Sequence, residues 1–302
     1  PGEGDAAVLR VKGTARGLAV SLDCNSRYCW LDPGLGARHA VAEAARNVSC
    51  VGGRPLALTN CLNFGNPARP AGYFQLREAV QGIADASAVF TIPVVSGNVS
   101  LYNETARSAV LPTPTIGVVG VLDDVSRHAT MRWQDGDVVV LLGGGQPVLG
   151  GSEYLAVTTG ETFGAPPPLD LAAEMALVGL VRNQIAAGAV RTAHDVGLGG
   201  IAVALAEMAI LSGTGFVADA GAVPADRAAW FGESATRILV ALPDAGVAGL
   251  ERAAATDGVS VRRLGAVGGQ GLSVGDAAVM VEDLARVWDH ALADRASGSE
   301  GA

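Results

Sequence analysis

No stretch of about 18 uninterrupted apolar residues occurs in this chain, so no segment reads as a membrane-spanning helix. No signal peptide opens it either, and the cytoplasm is the expected home. Basic tracts are missing as well. With 30 acidic against 21 basic residues and a net charge of −9, a nucleic-acid surface is not expected. Aromatics make up only 5% of the residues, yet the apolar fraction is 49%, carried by Ala, Val, Leu and Gly. That balance excludes disorder and suits a close-packed α/β protein. The four cysteines, Cys24, Cys29, Cys50 and Cys61, form no CxxC and have no histidine pair to complete a zinc set, so they read as reduced thiols. No serine sits in a nucleophile elbow. The chain lacks both GxxxxGK[ST] and GxGxxG, which removes the P-loop and dinucleotide readings.

What is present centres on Ile92-Pro-Val-Val-Ser-Gly-Asn-Val-Ser-Leu-Tyr-Asn-Glu104. Ile92–Val95 reads as a short buried strand that breaks into a polar loop. Ser96, Asn98, Ser100, Asn103 and Glu104 can each bond a phosphate or a hard cation, and Gly97 permits close backbone approach. The same residues also fit an ordinary strand-to-loop corner.

In chain order, Ala6–Lys12 and Gly17–Asp23 read as a hairpin, followed by a polar loop from Asp23 to Tyr28. Asp32-Pro33 marks a helix start, and Ala37–Val48 carries helical periodicity. Leu56–Thr59 reads as a strand running into a second polar loop, Asn60 to Pro67. Tyr73–Val89 is a helix and Thr115–Leu122 a strand. Both polar loops leave the carboxyl ends of strands, where open α/β sheets hold ligands. The polar Trp133–Gly136 segment divides the chain into a first domain, 1–135, and a second, 136–295, with a disordered tail at 296–302. In the second domain Asp137–Leu142 is a strand ending in Gly143-Gly-Gly145, either a phosphate loop or a flexible turn. Leu169–Ala187 and Ile201–Leu211 are helices, the latter behind the glycine-rich Ala193–Gly200, whose amides could hold an anion. Arg237–Ala241 and Val259–Leu264 are strands and Asp283–Leu292 a closing helix. His194 and Asp195, being adjacent, are not expected to face one another as a dyad. With Pro1 in place of an initiator methionine, the chain looks like a fragment.

Six motifs occur together, in order and suitably spaced. They are Asp23-Cys-Asn-Ser-Arg-Tyr28, Asp32-Pro33, Ala42-Glu-Ala-Ala-Arg-Asn47, Thr59-Asn-Cys-Leu-Asn-Phe-Gly-Asn-Pro67, Ser96 to Glu104, and Pro112-Thr-Pro114. Leu149-Gly-Gly-Ser-Glu-Tyr154, His194-Asp195 and Phe231-Gly-Glu-Ser234 continue the set. Together they resemble the C-terminal half of phosphoribosylformylglycinamidine synthase, the synthetase subunit of the small multi-subunit type, within the aminoimidazole ribonucleotide synthetase-like superfamily.

That resemblance implies a pair of α/β (α+β) domains, the sheet of the first contributing to a barrel shared with a second copy. It also implies an ATP-dependent carbon–nitrogen ligase of purine biosynthesis, which phosphorylates the formamide oxygen of formylglycinamide ribonucleotide and lets ammonia displace the phosphate. By the same resemblance Asn60 and Gly97 would contact ATP, Asn98 would bind Mg²⁺ and Ser100 would contact the ribonucleotide substrate. Asn60 stands where relatives often carry Asp. No catalytic group is expected in this half. The implied partners are the missing N-terminal half, a glutaminase subunit and a small accessory subunit. Two other readings fit the residues: another superfamily member, such as a selenophosphate synthetase or thiamine-monophosphate kinase relative, or a non-catalytic nucleotide-binding scaffold. The former usually carries an Asp-rich metal motif near its N-terminus, which is missing here.

Overall fold

Two sheets organise the chain, each covered by helices whose sequences explain the packing. The structure is a computed structural model that describes residues 3–274 and 277–297. The first sheet has the order β1-β2-β5-β3-β4, built from β1 (Ala7–Arg10), β2 (Gly17–Asp23), β3 (Arg54–Asn63), β4 (Val94–Ser100) and β5 (Thr113–Leu122). β3 and β4 run parallel, while β1, β2, β5 and β3 pair antiparallel in turn. α1 (Ser26–Leu31), α2 (Pro33–Cys50) and α3 (Pro70–Phe90) lie on one face.

α2 starts where sequence places it. Asp32 accepts a hydrogen bond from the Leu35 amide at 2.9 Å, and Pro33 occupies the first turn, where its missing N–H costs nothing. The small residues of α2 let its neighbours come close. A Cβ on Gly36 would lie 2.4 Å from the Cys29 amide nitrogen of α1, and one on Gly82 of α3 would lie 2.2 Å from the Gly34 carbonyl. Val41, Val48, Leu58, Ile116 and Val118 close the core between α2 and the sheet.

The second sheet has the order β12-β11-β8-β10-β6-β9-β7. Its strands are β6 (Val138–Gly143), β7 (Thr192–Asp195), β8 (Phe216–Ala218), β9 (Arg237–Leu242), β10 (Val261–Val267), β11 (Gly271–Val274) and β12 (Ala277–Met280). Around it stand α4 (Glu153–Thr159), α5 (Leu171–Ala186), α6 (Gly200–Ser212), α7 (Arg227–Phe231), α8 (Asp244–Thr256) and α9 (Val281–Ser297). β6 and β9 are buried on both faces, so both read as unbroken apolar runs rather than as alternation.

Several expectations are corrected. Asn60–Asn63 and Ser96–Ser100 are not loops; they are the carboxyl-terminal halves of β3 and β4, hydrogen-bonded to each other in parallel register. Ile92 is buried, but Val94 and Val95 are exposed, because β4 is an edge strand rather than a buried one. The segment from Ser26 to Leu31, read as loop, is α1, capped by the Asn25 side chain through the amides of Arg27 and Tyr28. Thr192–Asp195 is a strand and not the approach to a helix. α9 continues through Ala296 and Ser297, the first two residues assigned to a tail; the remainder, 298–302, lies outside the described residues.

The face of the first sheet opposite its helices is uncovered. Leu18, Leu22, Leu56 and Val119 point out from it, with Leu22 72% exposed. The sheet does not close on itself: β1 and β4 are both free edges in the single chain.

Candidate functional site

The four residues singled out in the sequence are brought together on two adjacent strands. In β3 and β4 Asn60 pairs with Gly97, Cys61 with Asn98 and Asn63 with Ser100. Since side chains alternate along a strand, these pairs fall on opposite faces. Asn60 and Gly97 face the helices, flanked along β3 by buried Leu58 and Leu62. Asn98 and Ser100 face the uncovered side. Gly97 leaves room for its neighbour: a Cβ there would sit 2.5 Å from Asn60 Oδ1 and would push that carboxamide aside. Asn98 Nδ2 lies 3.7 Å from Cys61 Sγ as donor, and Oδ1 accepts from no group among the described residues. Ser100 is tied to Asn103, whose Nδ2 donates to the Ser100 carbonyl at 2.8 Å. Glu104 accepts from the Asn66 amide at 3.2 Å and pairs with Arg69, so it fixes the turn after β4.

The row continues across the sheet. Asn60 pairs with Ile116 of β5, and Ile116 pairs with Asp23 of β2. Asp23, Asn60 and Gly97 therefore share the helix-facing side at one end of the sheet. Burial, with the charge of Asp195 adding to it and Arg46 opposing, pushes the Asp23 carboxyl up to about 7. Asn47 Nδ2 donates to that carboxyl at 2.8 Å.

Beneath this end lies a buried ionic cluster that sequence reading missed. Arg46 of α2 donates through Nε to Asp195 and through Nη1 to Glu174 of α5, and Thr236 Oγ1 donates to Glu174 at 2.6 Å. Glu43, also on α2, is held far above the usual carboxylate range by burial and by Asp23 and Asp195. His194 does not face Asp195. Its ring nitrogens meet Asp5 at 2.6 Å and Glu207 at 2.9 Å, while the Asp195 carboxylate turns to Arg46. Burial opposes the His194 charge, but Asp5 and Glu207 outweigh it and lift the ring up to about 10. The signal for this cluster in the sequence is Glu43, Arg46 and Asn47, three polar residues at helical spacing within the Ala- and Val-rich second half of α2.

The glycine-rich start of α6 does hold an anion, and that anion belongs to the chain. Glu233 Oε1 accepts from the Gly199 amide at 2.8 Å and the Glu153 amide at 2.7 Å, and Tyr28 donates its hydroxyl to Oε2 at 3.1 Å. The space left among Tyr28, Glu43, Arg46 and Glu233, about 10 Å³, admits at most one water.

Among the described residues no group of three or more His, Cys, Asp and Glu side chains is arranged to hold a metal ion, and all four cysteines are free. Asn98 offers a single neutral oxygen toward a cation, which fits a minor share in a Mg²⁺ shell and not a site complete in itself. Chemically, the row can bond a nucleotide or phosphate through carboxamides and strand-end amides. No helix among the described residues is long and apolar enough to cross a membrane.

Comparison with known proteins places these features. Residues 3–122 match the AIR synthase related protein N-terminal domain, and residues 134–276 match the AIR synthase related protein C-terminal domain. The phosphoribosylformylglycinamidine synthase subunit PurL of Thermomicrobium roseum is 48% identical over 304 residues, 98% of this chain and 41% of that protein. The chain thus spans about two fifths of the length of the curated relatives it matches. Among solved structures, Thermotoga maritima PurL complexed with FGAR superposes with a TM-score of 0.77 at 20% identity, over 94% of this chain and 48% of that one. The T. maritima PurL complex with ATP gives 0.74 at 19%, over 93% and 46%. At such identities these superpositions speak for the fold alone.

Proposed function

From the premise that the chain belongs to the AIR synthase related proteins, we propose that it is the second synthetase-like domain pair of a phosphoribosylformylglycinamidine synthase subunit. In this reading it serves the ATP-dependent conversion of formylglycinamide ribonucleotide to the amidine with glutamine-derived ammonia, in the cytoplasm. The observation that carries the proposal is the 48% identity over 98% of the chain to a PurL subunit. The domain matches at 3–122 and 134–276 support a division near residue 135. Binding of ATP and FGAR by a PurL of the same fold agrees with the reading.

Each residue has a physical task under this proposal. Asn60 and the Gly97 backbone contact the nucleotide, Asn60 as a neutral hydrogen-bonding group where an Asp would bring charge. Ser100 contacts the ribonucleotide. Asn98 lends one oxygen to a Mg²⁺, an ion that when bound neutralises charge on the phosphates. Phosphorylating an amide oxygen also needs in-line positioning and more cationic charge than β3 and β4 carry. The N-terminal half of the subunit therefore supplies the remainder, a glutaminase subunit the ammonia, and an accessory subunit holds the assembly together.

The test mixes this chain with a separately made N-terminal half and measures ammonia-dependent ADP release and amidine formation. Activity is expected only in the mixture. With Asn98→Ala in the mixture, turnover falls by roughly 10²-fold, the scale for one preorganised electrostatic group. Turnover by this chain alone, or a mixture that stays silent with both halves folded, overturns the proposal.

A further inference from the structure

Gly143-Gly-Gly145 lies far along the chain from β3 and β4, and the function above leaves it without a task. Register explains what surrounds it. Gly143 ends β6 and pairs with Arg237 of β9, while Leu141, two residues back on the same face, pairs with Arg262 of β10. Two guanidinium side chains thus flank the central strand, and the glycine between them has no side chain to separate them. Gly143 is obligatory: its φ is +81°, and a Cβ would lie 2.1 Å from the Thr236 carbonyl. Ser260 holds the loop by donating its hydroxyl to the Gly143 carbonyl at 2.7 Å. Beyond that point the amides of Gly144 and Gly145 are exposed and donate to no protein acceptor among the described residues.

The charge is unbalanced here. Arg237 is 2% exposed, yet it has no salt bridge among the described residues. Its Nε and Nη2 donate to neutral carbonyls, those of Ser234 at 3.0 Å and Gly232 at 2.6 Å. Burial lowers its affinity for the proton to about 10, and Arg46 and Arg262 add to that effect; the opposing carboxylate, Asp195, is already bonded to Arg46. Arg262 likewise makes no salt bridge among the described residues. Asp226, the acid lining the same cleft, spends its carboxylate on the Ala229 amide at 2.8 Å. The cleft that these groups enclose measures about 570 Å³, within the range of small-ligand sites.

We infer that the cleft formed by Gly144, Gly145, Arg237 and Arg262 binds the phosphate group of a small phosphorylated metabolite. Two free amides at a strand end and a guanidinium fork match the acceptor oxygens of a phosphate, and a buried unpaired cation beneath them favours negative charge. The site is separate from the row on β3 and β4 and does not depend on its role.

The experiment titrates the ¹⁵N-labelled 302-residue chain with ribose 5-phosphate and with pyrophosphate, using adenosine as the phosphate-free control. Saturable shifts of the Gly144 and Gly145 amides are expected with one or both phosphates and not with adenosine. The tighter of the two identifies a monoester or a diphosphate as the ligand class. Arg262→Gln should weaken binding by roughly tenfold, the scale of one charge-assisted contact, and Arg262→Glu should abolish saturation. Neither variant should lower the unliganded melting temperature, since Arg262 is exposed, bonds no other side chain among the described residues and repels buried Arg237. Absence of saturable shifts at these glycines overturns the inference. So does binding that both variants leave unchanged.

Discussion

Replacing Arg46 by Met should be the most damaging conservative change in the first domain. The side chain is 2% exposed and holds Asp195 and Glu174, each buried, in a network that reaches from α2 to β7 and α5. Methionine fills much of the same volume, so little of the cost comes from a cavity. What remains is two buried carboxylates without their cation, with Glu43 beside them. Breaking a buried pair by removing one partner costs about 3–5 kcal/mol. Against a typical total of about 5–15 kcal/mol that is a large fraction. At about 2–4 °C per kcal/mol for a protein approaching this size, the midpoint should fall by roughly 10 °C. The sign of the pH dependence follows. In the variant the Asp195 carboxyl, already held above its ordinary range by burial, loses the Arg46 charge that opposes the rise, so the deficit is largest at pH 8 and shrinks as acidification protonates it. Adding Glu174→Gln and Asp195→Asn removes the unpaired charges and should recover most of the loss. Calorimetry at pH 5 and 8 checks each step. An Arg46→Met midpoint equal to that of the parent at pH 8 would refute the reasoning.

Three further outcomes are expected. Gly97→Ala places a Cβ 2.5 Å from Asn60 Oδ1, the end of a flexible side chain, so it should turn that carboxamide aside and leave the melting midpoint within a few degrees of the parent; a midpoint lowered by about 10 °C contradicts that reading. His194, lifted to about 10 from an ordinary 6.5, contributes stability that is complete below pH 6.5 and is lost as pH rises through 10. Urea midpoints of the parent and His194→Gln should therefore converge over that window, and parallel curves would count against the Asp5–His194–Glu207 bridge. The uncovered apolar face around Leu22 and Val119 should make the isolated chain self-associate, and Leu22→Lys should reduce it; a clean monomer across a wide concentration range in sedimentation disposes of that expectation.

How much of this was legible depends on where the information sits along the chain. α2 could be read from Asp32-Pro33 and its apolar spacing, because capping and periodicity are local. β3 and β4 were cut short at Thr59 and Val95 because Asn, Gly and Ser have low strand propensity. Their strand state comes from pairing with each other and, for β3, with β5, which no local window contains. The ionic cluster was invisible for the same reason: Arg46 and Asp195 stand 149 residues apart. The glycines before α6 are consistent with either an anion site or a compact helix entry, and the carboxylate that the Gly199 amide meets, Glu233, comes from 34 residues later.

The change from loop to strand constrains how the candidate residues can act. On a flexible loop Asn60, Gly97, Asn98 and Ser100 could all turn toward one ligand. On paired strands they cannot, because Asn60 and Gly97 face the helices while Asn98 and Ser100 face the opposite side. One ligand touches both sets only at the carboxyl ends of β3 and β4 or around the free edge of β4. That edge leaves ladder groups unpaired and carries Val94, Val95 and Val99 exposed, a combination that soluble proteins cover. Gly97 is itself exposed and Asn60 half-buried, so that end of the Asp23–Asn60–Gly97 row is open as well. If the proposed roles hold, the two pairs of residues must therefore reach their ligands from opposite faces of the sheet.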